Sequence, residues 1–210
     1  MDPARIAGVR REELREACAR LGVTDVRMLG YRDSGIPARG EPGSLSAAPL
    51  GQVARDLSRV LAALRPDLVI THDRTGGYGH PDHIRASEAA ALAVRDLDPV
   101  PVLYESVFPR SLVDAFQDAF RDAGLRAGRA AATGADMDRD AGVPDALVSA
   151  RLDVSAHVQA KRAALRAHRT QLTGHVLFRL PWPVLARLWS VEHFARAGVQ
   201  PGGPVADDLG

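Results

Sequence analysis

From Thr71 to His83 the chain reads THDRTGGYGHPDH, its densest gathering of residues able to do chemistry. Three glycines in four residues (Gly76, Gly77 and Gly79) permit unusual backbone angles and close approach of a ligand. His80 and His83 flank Pro81-Asp82. Pro81 suits the first position of a helix, and residues three apart share a helical face, so both imidazoles can point into one pocket. Imidazole is a common zinc ligand, and Asp82 can either ligate or orient a histidine. On its own the H-x-x-H pair is a weak signal, and an acid in a first helical turn is favoured by the helix dipole without any function. The position after a strand, in a glycine-rich loop, raises its weight.

Leu68-Val69-Ile70-Thr71 is a short β-branched run between Pro66 and Gly76-Gly77, and it reads as a buried strand whose C-terminal end presents that loop. Upstream, Ile6 to Leu21 has helical spacing, Val26–Leu29 is a short strand candidate, and Gly30–Ala47 reads as a loop. Leu50 to Leu64 marks one face of an amphipathic helix ended by Pro66. Downstream, the pattern predicts a helix over Pro81–Leu97, a strand over Val102–Phe108 and a helix over Leu112–Ala123. Residues 124–146 read as a long excursion, Val148–Val154 as a weak strand and Ser155–Arg169 as a helix opened by an Asp153 or Ser155 cap. Pro181–Ala197 is expected to be helical. Alternating elements predict an α/β domain with a mostly parallel sheet over residues 1–199, and a Pro/Gly-rich tail over 200–210. The chain opens on a helix with no strand before it, whereas doubly wound domains usually begin on a central strand.

A chain of 210 residues with 46% hydrophobic and 25% charged residues is ordinary globular material. Lys+Arg exceeds Asp+Glu by 27 − 26 = 1, which gives no reason to expect nucleic acid or an anionic membrane as partner. The lone Cys18 excludes an intrachain disulfide framework and reads as a small hydrophobe. No run is long and apolar enough for a membrane span, and the N-terminus carries charge where a signal peptide is apolar, so a cytoplasmic protein is expected.

The octapeptide Gly76–His83, GGYGHPDH, resembles the second motif of the PIG-L/LmbE family of metal-dependent N-acetylglucosaminyl deacetylases, whose actinobacterial branch acts on mycothiol-pathway sugars. Tyr31–Gly35, Leu103–Val107, Lys161–Gln171 and Glu192-His193 continue the resemblance across most of the chain. It implies a Rossmann-like, three-layer LmbE-type α/β fold and a zinc-dependent amide hydrolase acting on a small amino-sugar or glycoconjugate. By the same resemblance His83 is a metal ligand and His80 acts at the tetrahedral intermediate as an acid or charge stabiliser. Asp82 pairs with His80, Tyr78 hydrogen-bonds the substrate or the oxyanion, and Arg10 and Asp33 bind the sugar. The family's AHPDDE loop, which supplies two further ligands and the base, has no counterpart here. The expectation is therefore a fold lacking its first strand–helix–strand unit, and a chain inactive as written.

Structural readings stand beside several of these. Arg10 fits a solvated helix face, and Asp33 a turn before Ser34-Gly35. His72, at the strand end, reads as packing or support for the site, and His157, His168 and His175 have no ligand spacing with one another. Glu192-His193 either lines the site or caps a helix. Trp182 and Trp189, seven apart, share a helical face that suits a core or a homo-oligomer contact. A non-catalytic glycoside- or protein-binding relative, or an unstable fragment, is the alternative to the hydrolase.

Overall fold

The computed structural model describes residues 3–35, 40–125, 142–172 and 174–210. In chain order the elements are α1 (Pro3–Arg20), α2 (Leu50–Leu64), β1 (Leu68–His72), a single turn α3 (Gly76–Gly79), α4 (Pro81–Ala93), β2 (Val102–Ser106) and α5 (Arg110–Asp122). β3 (Ala150–Asp153), α6 (Val158–Ala167), α7 (Arg169–Leu172), α8 (Trp182–Leu188) and β4 (Val191–Arg196) follow. They are organised as two compact units. One comprises Met1–Met28, Ala115–Asp136 and Asp153–Val191, the other Leu29–Asp114, Met137–Leu152 and Glu192–Gly210.

The first unit is helical. α1 buries Ala17 against Ala164 and Ala167 of α6, small side chains that let the two helices approach closely. The buried Glu13 of α1 accepts hydrogen bonds from the amide (2.9 Å) and hydroxyl (2.6 Å) of Thr170 at the start of α7. Trp182 and Trp189 meet edge to face with centroids 6.4 Å apart, and the Arg162 guanidinium lies 4.4 Å above the Trp182 ring. These aromatic residues are packed inside the unit.

The second unit is built on a four-stranded sheet in the order β1-β2-β4-β3. β1 and β2 run parallel in the register Thr71↔Glu105, whereas β2 and β4 run antiparallel. The sheet is therefore mixed rather than mostly parallel, within the α/β class that was expected. Leu103 and Val69 pack with Ala54, Leu61, Ala90 and Ala93 of α2 and α4. Successive strand residues alternate faces, so Tyr104 turns the other way, onto Phe194 and Ala150. α2 stops where Arg65 adopts the left-handed conformation (φ 47°) and its N–H closes back on the Leu61 carbonyl at 2.7 Å, one residue before Pro66.

Several sequence expectations are corrected. Val26–Leu29 forms no strand: Met28 and Leu29 are exposed, and no ladder partner reaches them among the described residues. β1 is not buried. It is an outer strand whose residues are all half-buried or exposed, Ile70 at 48%. α4 ends at Ala93 and tightens into a 3-10 turn over Val94–Asp96. The expected helix Pro181–Ala197 stops at Leu188, and its second half is β4. β4 exists because β2 presents an edge that Phe194, Ala195 and Arg196 pair with, a partner that helical spacing in Trp182–Leu188 does not announce. Residues 200–210 lie against β3 through the bridge Ala150↔Ala206, with Leu209 packed on the core. Of the expected excursion 124–146, residues 126–141 lie outside the described residues.

Candidate functional site

At the C-terminal end of β1 the chain turns through Asp73. This carboxylate is buried, and one of its oxygens accepts from the amides of Thr75 (2.6 Å) and Gly77 (3.3 Å), which fixes the start of the glycine-rich loop. Gly76 follows with φ +70°, where a Cβ would meet Ile84 Cγ1 at 2.9 Å, so only glycine fits. Its carbonyl is thereby aimed at His83. The sequence reading overlooked Asp73, although an Asp two residues before a Thr-Gly-Gly run is a turn signal.

His80 is the N-cap of α4, and Pro81 occupies the first turn. His80 Nδ1 accepts from the Asp82 amide at 3.1 Å, so a neutral His80 carries its proton on Nε2. His83 Nδ1 lies 3.1 Å from the Gly76 carbonyl, which can only accept, so Nδ1 holds the proton and Nε2 keeps its lone pair. Two histidines three residues apart are thus set in opposite tautomers, one offering a donor and the other a metal-type lone pair.

The rings pack as a stack. His83 lies parallel to His72 at 3.9 Å between centroids, and His80 covers the other neighbour position at 4.6 Å. Tyr78 meets His80 and His83 edge-on at 5.9 and 5.5 Å. Burial first, and then neighbouring imidazoles, hold His72 and His83 below the ordinary histidine value, which favours the neutral, ligating form. Burial and then the Asp33 carboxylate push the Tyr78 phenol up, so it keeps its proton as a donor.

Asp82 and Asp33 complete the cluster. Ligand atoms of Asp33, His80 and Asp82 lie within 4.8 Å of one another, and His83 is not part of that group. The Asp82 carboxylate accepts from the Ser34 amide (2.9 Å), the Ser34 hydroxyl and the Ser46 amide (3.1 Å). One turn on, Arg85 donates to the Ser46 carbonyl at 2.9 Å. The first turn of α4 therefore holds Ser34, which adjoins Asp33, together with Ser46. Asp33 itself accepts from the Gly35 amide at 2.7 Å, the turn contact foreseen for it. Arg10 lies half-buried on α1 of the first unit. Glu192 and His193 are half-buried on β4 rather than at a helix end.

Nitrogen and oxygen donors in this number suit zinc or a similar divalent ion. No described helix is long and apolar enough to cross a membrane.

Residues 1–94 match the family described as GlcNAc-PI de-N-acetylase, PIG-L. The chain is 37% identical over 213 residues to a 1D-myo-inositol 2-acetamido-2-deoxy-alpha-D-glucopyranoside deacetylase 2 of Frankia alni, covering 91% of this chain and 73% of the relative. The corresponding deacetylase 1 of the same organism is 37% identical over 230 residues, covering 97% and 79%. A deacetylase of the same description from Acidothermus cellulolyticus is 38% identical over 200 residues, covering 90% and 68%.

Proposed function

Since the chain belongs to the PIG-L family of de-N-acetylases, we propose that its site serves hydrolysis of the acetamide of a small N-acetylglucosaminyl glycoconjugate, with zinc or a similar divalent ion, and that without the base and two ligands of the family's AHPDDE loop the chain as written is strongly impaired in that reaction. The observation that carries this reading is the pair of opposite tautomers on His80 and His83. One loop offers a proton donor and a ligand side by side, which metal-assisted amide cleavage requires.

In this reading His83 holds the metal through Nε2. Asp33 and His80 have ligand atoms within 4.8 Å of each other, in a group that does not include His83. Asp82 has three acceptor positions already committed to Ser34 and Ser46, which favours a holding role over ligation. A bound divalent ion supplies Lewis acidity and a water ionised near neutral pH. The Tyr78 hydroxyl donates to the carbonyl oxygen of the amide as negative charge gathers there. His80 donates an Nε2–H hydrogen bond to that developing negative charge without losing its proton, and the proton given up by the attacking water goes to the amine nitrogen as the C–N bond breaks, so the amine leaves neutral. Asp33 holds a hydroxyl of the sugar. Asp82 orients His80 through its amide and keeps Asp33 in reach by holding the adjoining Ser34. A small polar substrate and no apolar spanning helix among the described residues support a cytoplasmic reaction.

The test is release of acetate from an N-acetylglucosaminyl-inositol by the purified chain with added zinc, with and without a chelator. Chelator-sensitive release that falls in His80→Ala supports the proposal. Saturable binding of the glycoside without acetate release would instead make the chain a glycoside-binding relative.

A further inference from the structure

A cavity of about 390 Å³ opens beside the histidine loop, at the C-terminal ends of β1 and β2 and the turn after β4. Its volume is in the range of small-molecule sites. Tyr78, His80 and His83 do not line it, but Asp73, Arg74 and Thr75 do, and these residues lead directly into the loop that carries them. An amide held at the loop and a group seated in the cavity would thus be served by one continuous segment.

The lining has two characters. Glu105 comes from β2, one residue before the strand ends, and its side chain is only 15% exposed. Its partner is Arg74, whose Nε donates at 3.3 Å while the rest of that side chain is 80% exposed and able to swing. Facing this pair are Val107, Val143, Ala195 and Val199, an apolar wall. A wholly apolar guest would leave the mostly buried Glu105 carboxylate with only the long 3.3 Å contact from Arg74. The lining sets Asp73 and Glu105 against Arg74 and Arg196, so charge favours neither an anion nor a simple cation over a neutral polar guest. A ring bearing hydroxyls around its edge satisfies both characters. Its O–H groups donate to Glu105 and accept from Arg74, and its C–H face lies on the valines.

We propose that this cavity is a subsite for a polyhydroxylated ring, the cyclitol or sugar on the far side of the glycosidic bond from the amide. This rests on the de-N-acetylase reading and adds Glu105 and Arg74 as the residues that select the aglycone.

The experiment is ligand-observed NMR titration of the full chain with two separate probes, myo-inositol and methyl 2-acetamido-2-deoxy-α-glucoside. It is run on the wild type, Glu105→Gln and Leu147→Trp. Leu147 lines the cavity at a 37% exposed position, so a larger ring there fills the space without entering the core. Both variants should weaken myo-inositol about tenfold or more, the loss expected for one charged hydrogen-bond partner or a blocked site. Binding of the acetamido sugar should stay within about twofold. Myo-inositol binding that is absent in the wild type, or equal in all three proteins, overturns the proposal. If myo-inositol binds and is lost in the variants while the acetamido sugar never binds, the subsite stands and the de-N-acetylase reading falls.

Discussion

The imidazoles of His72 and His83 lie face to face, with ring centroids 3.9 Å apart and planes 3° from parallel. Burial, reinforced by the adjacent rings, holds both below the ordinary value of 6.5. A histidine that is harder to protonate folded than unfolded gives stability that is present above about pH 6.5 and lost as the pH falls through the folded values. Metal-free protein should therefore melt at progressively lower temperature between about pH 7 and pH 5. His72→Phe keeps a flat ring in the stack but removes one of the two bases, so its melting temperature should fall less steeply with acid. Parallel pH profiles for the two proteins would show that the stack does not set the slope.

In the first unit the test is Glu13. Burial alone would push its carboxyl up, but the Thr170 hydroxyl and amide, with Arg169 nearby, outweigh it and hold the group below its usual value. The sign is that of a stabilised carboxylate: full contribution above about pH 4.5, lost as the pH falls through the lower folded value. Thr170→Val removes the hydroxyl but keeps the amide, and should cost about 1–2 kcal/mol in denaturant unfolding at neutral pH. The difference between wild type and variant should shrink in acid. A constant difference down to about pH 3 would locate the cost in packing rather than in the carboxylate.

Asp82 reaches across 48 residues to Ser34 and 36 to Ser46. Asp82→Ala leaves two backbone amides and a hydroxyl without their acceptor, a loss of about 2–3 kcal/mol. If its main work is to clamp the segment, Ser34→Ala should reproduce part of the effect, and limited proteolysis should cut first between Gly40 and Ser46 in both variants. Activity lost in Asp82→Ala with that segment as resistant as in the wild type would return Asp82 to the chemistry itself.

What the sequence made legible follows the range of the forces involved. β1 and α2 could be read because a β-branched run and an apolar stripe are local patterns. His80 and His83 could be brought together from their spacing, and Tyr78 only from the family resemblance, because one loop and one helical turn position all three. β4 could not, since Val191–Arg196 is a strand only through its pairing with β2, and the turn at Leu188 interrupts a convincing helical spacing. For the same reason Val26–Leu29 looked like a strand and is not one, because no edge is offered to it among the described residues. Asp82 had the right residue type in the right place, but its partners lie in a segment read only as a loop. Glu105 sat in view within the Leu103–Val107 resemblance. Its cavity required the parallel register with Thr71 to become visible.

The two histidines of the H-x-x-H pair should separate in their effects on metal and on rate. His83 has Nδ1 engaged by Gly76 and Nε2 free, so His83→Ala should lose zinc along with activity. His80 has Nδ1 engaged by the Asp82 amide and a proton on Nε2. His80→Ala should therefore keep the zinc and lose about 10²–10³ in turnover, the usual contribution of one hydrogen-bond donor to a developing oxyanion. The competing arrangement is the Asp33, His80 and Asp82 group, whose ligand atoms converge without His83. Were it the metal site, Asp33→Asn and His80→Ala would lose the metal while His83→Ala retained it. Zinc content after dialysis, measured on the three variants beside steady-state rates, distinguishes the two outcomes. Equal zinc loss in both histidine variants would mean that the pair ligates together. The opposite tautomers would then belong only to the metal-free state, because His80 would have to carry its proton on Nδ1, giving up the Asp82 amide, to ligate through Nε2.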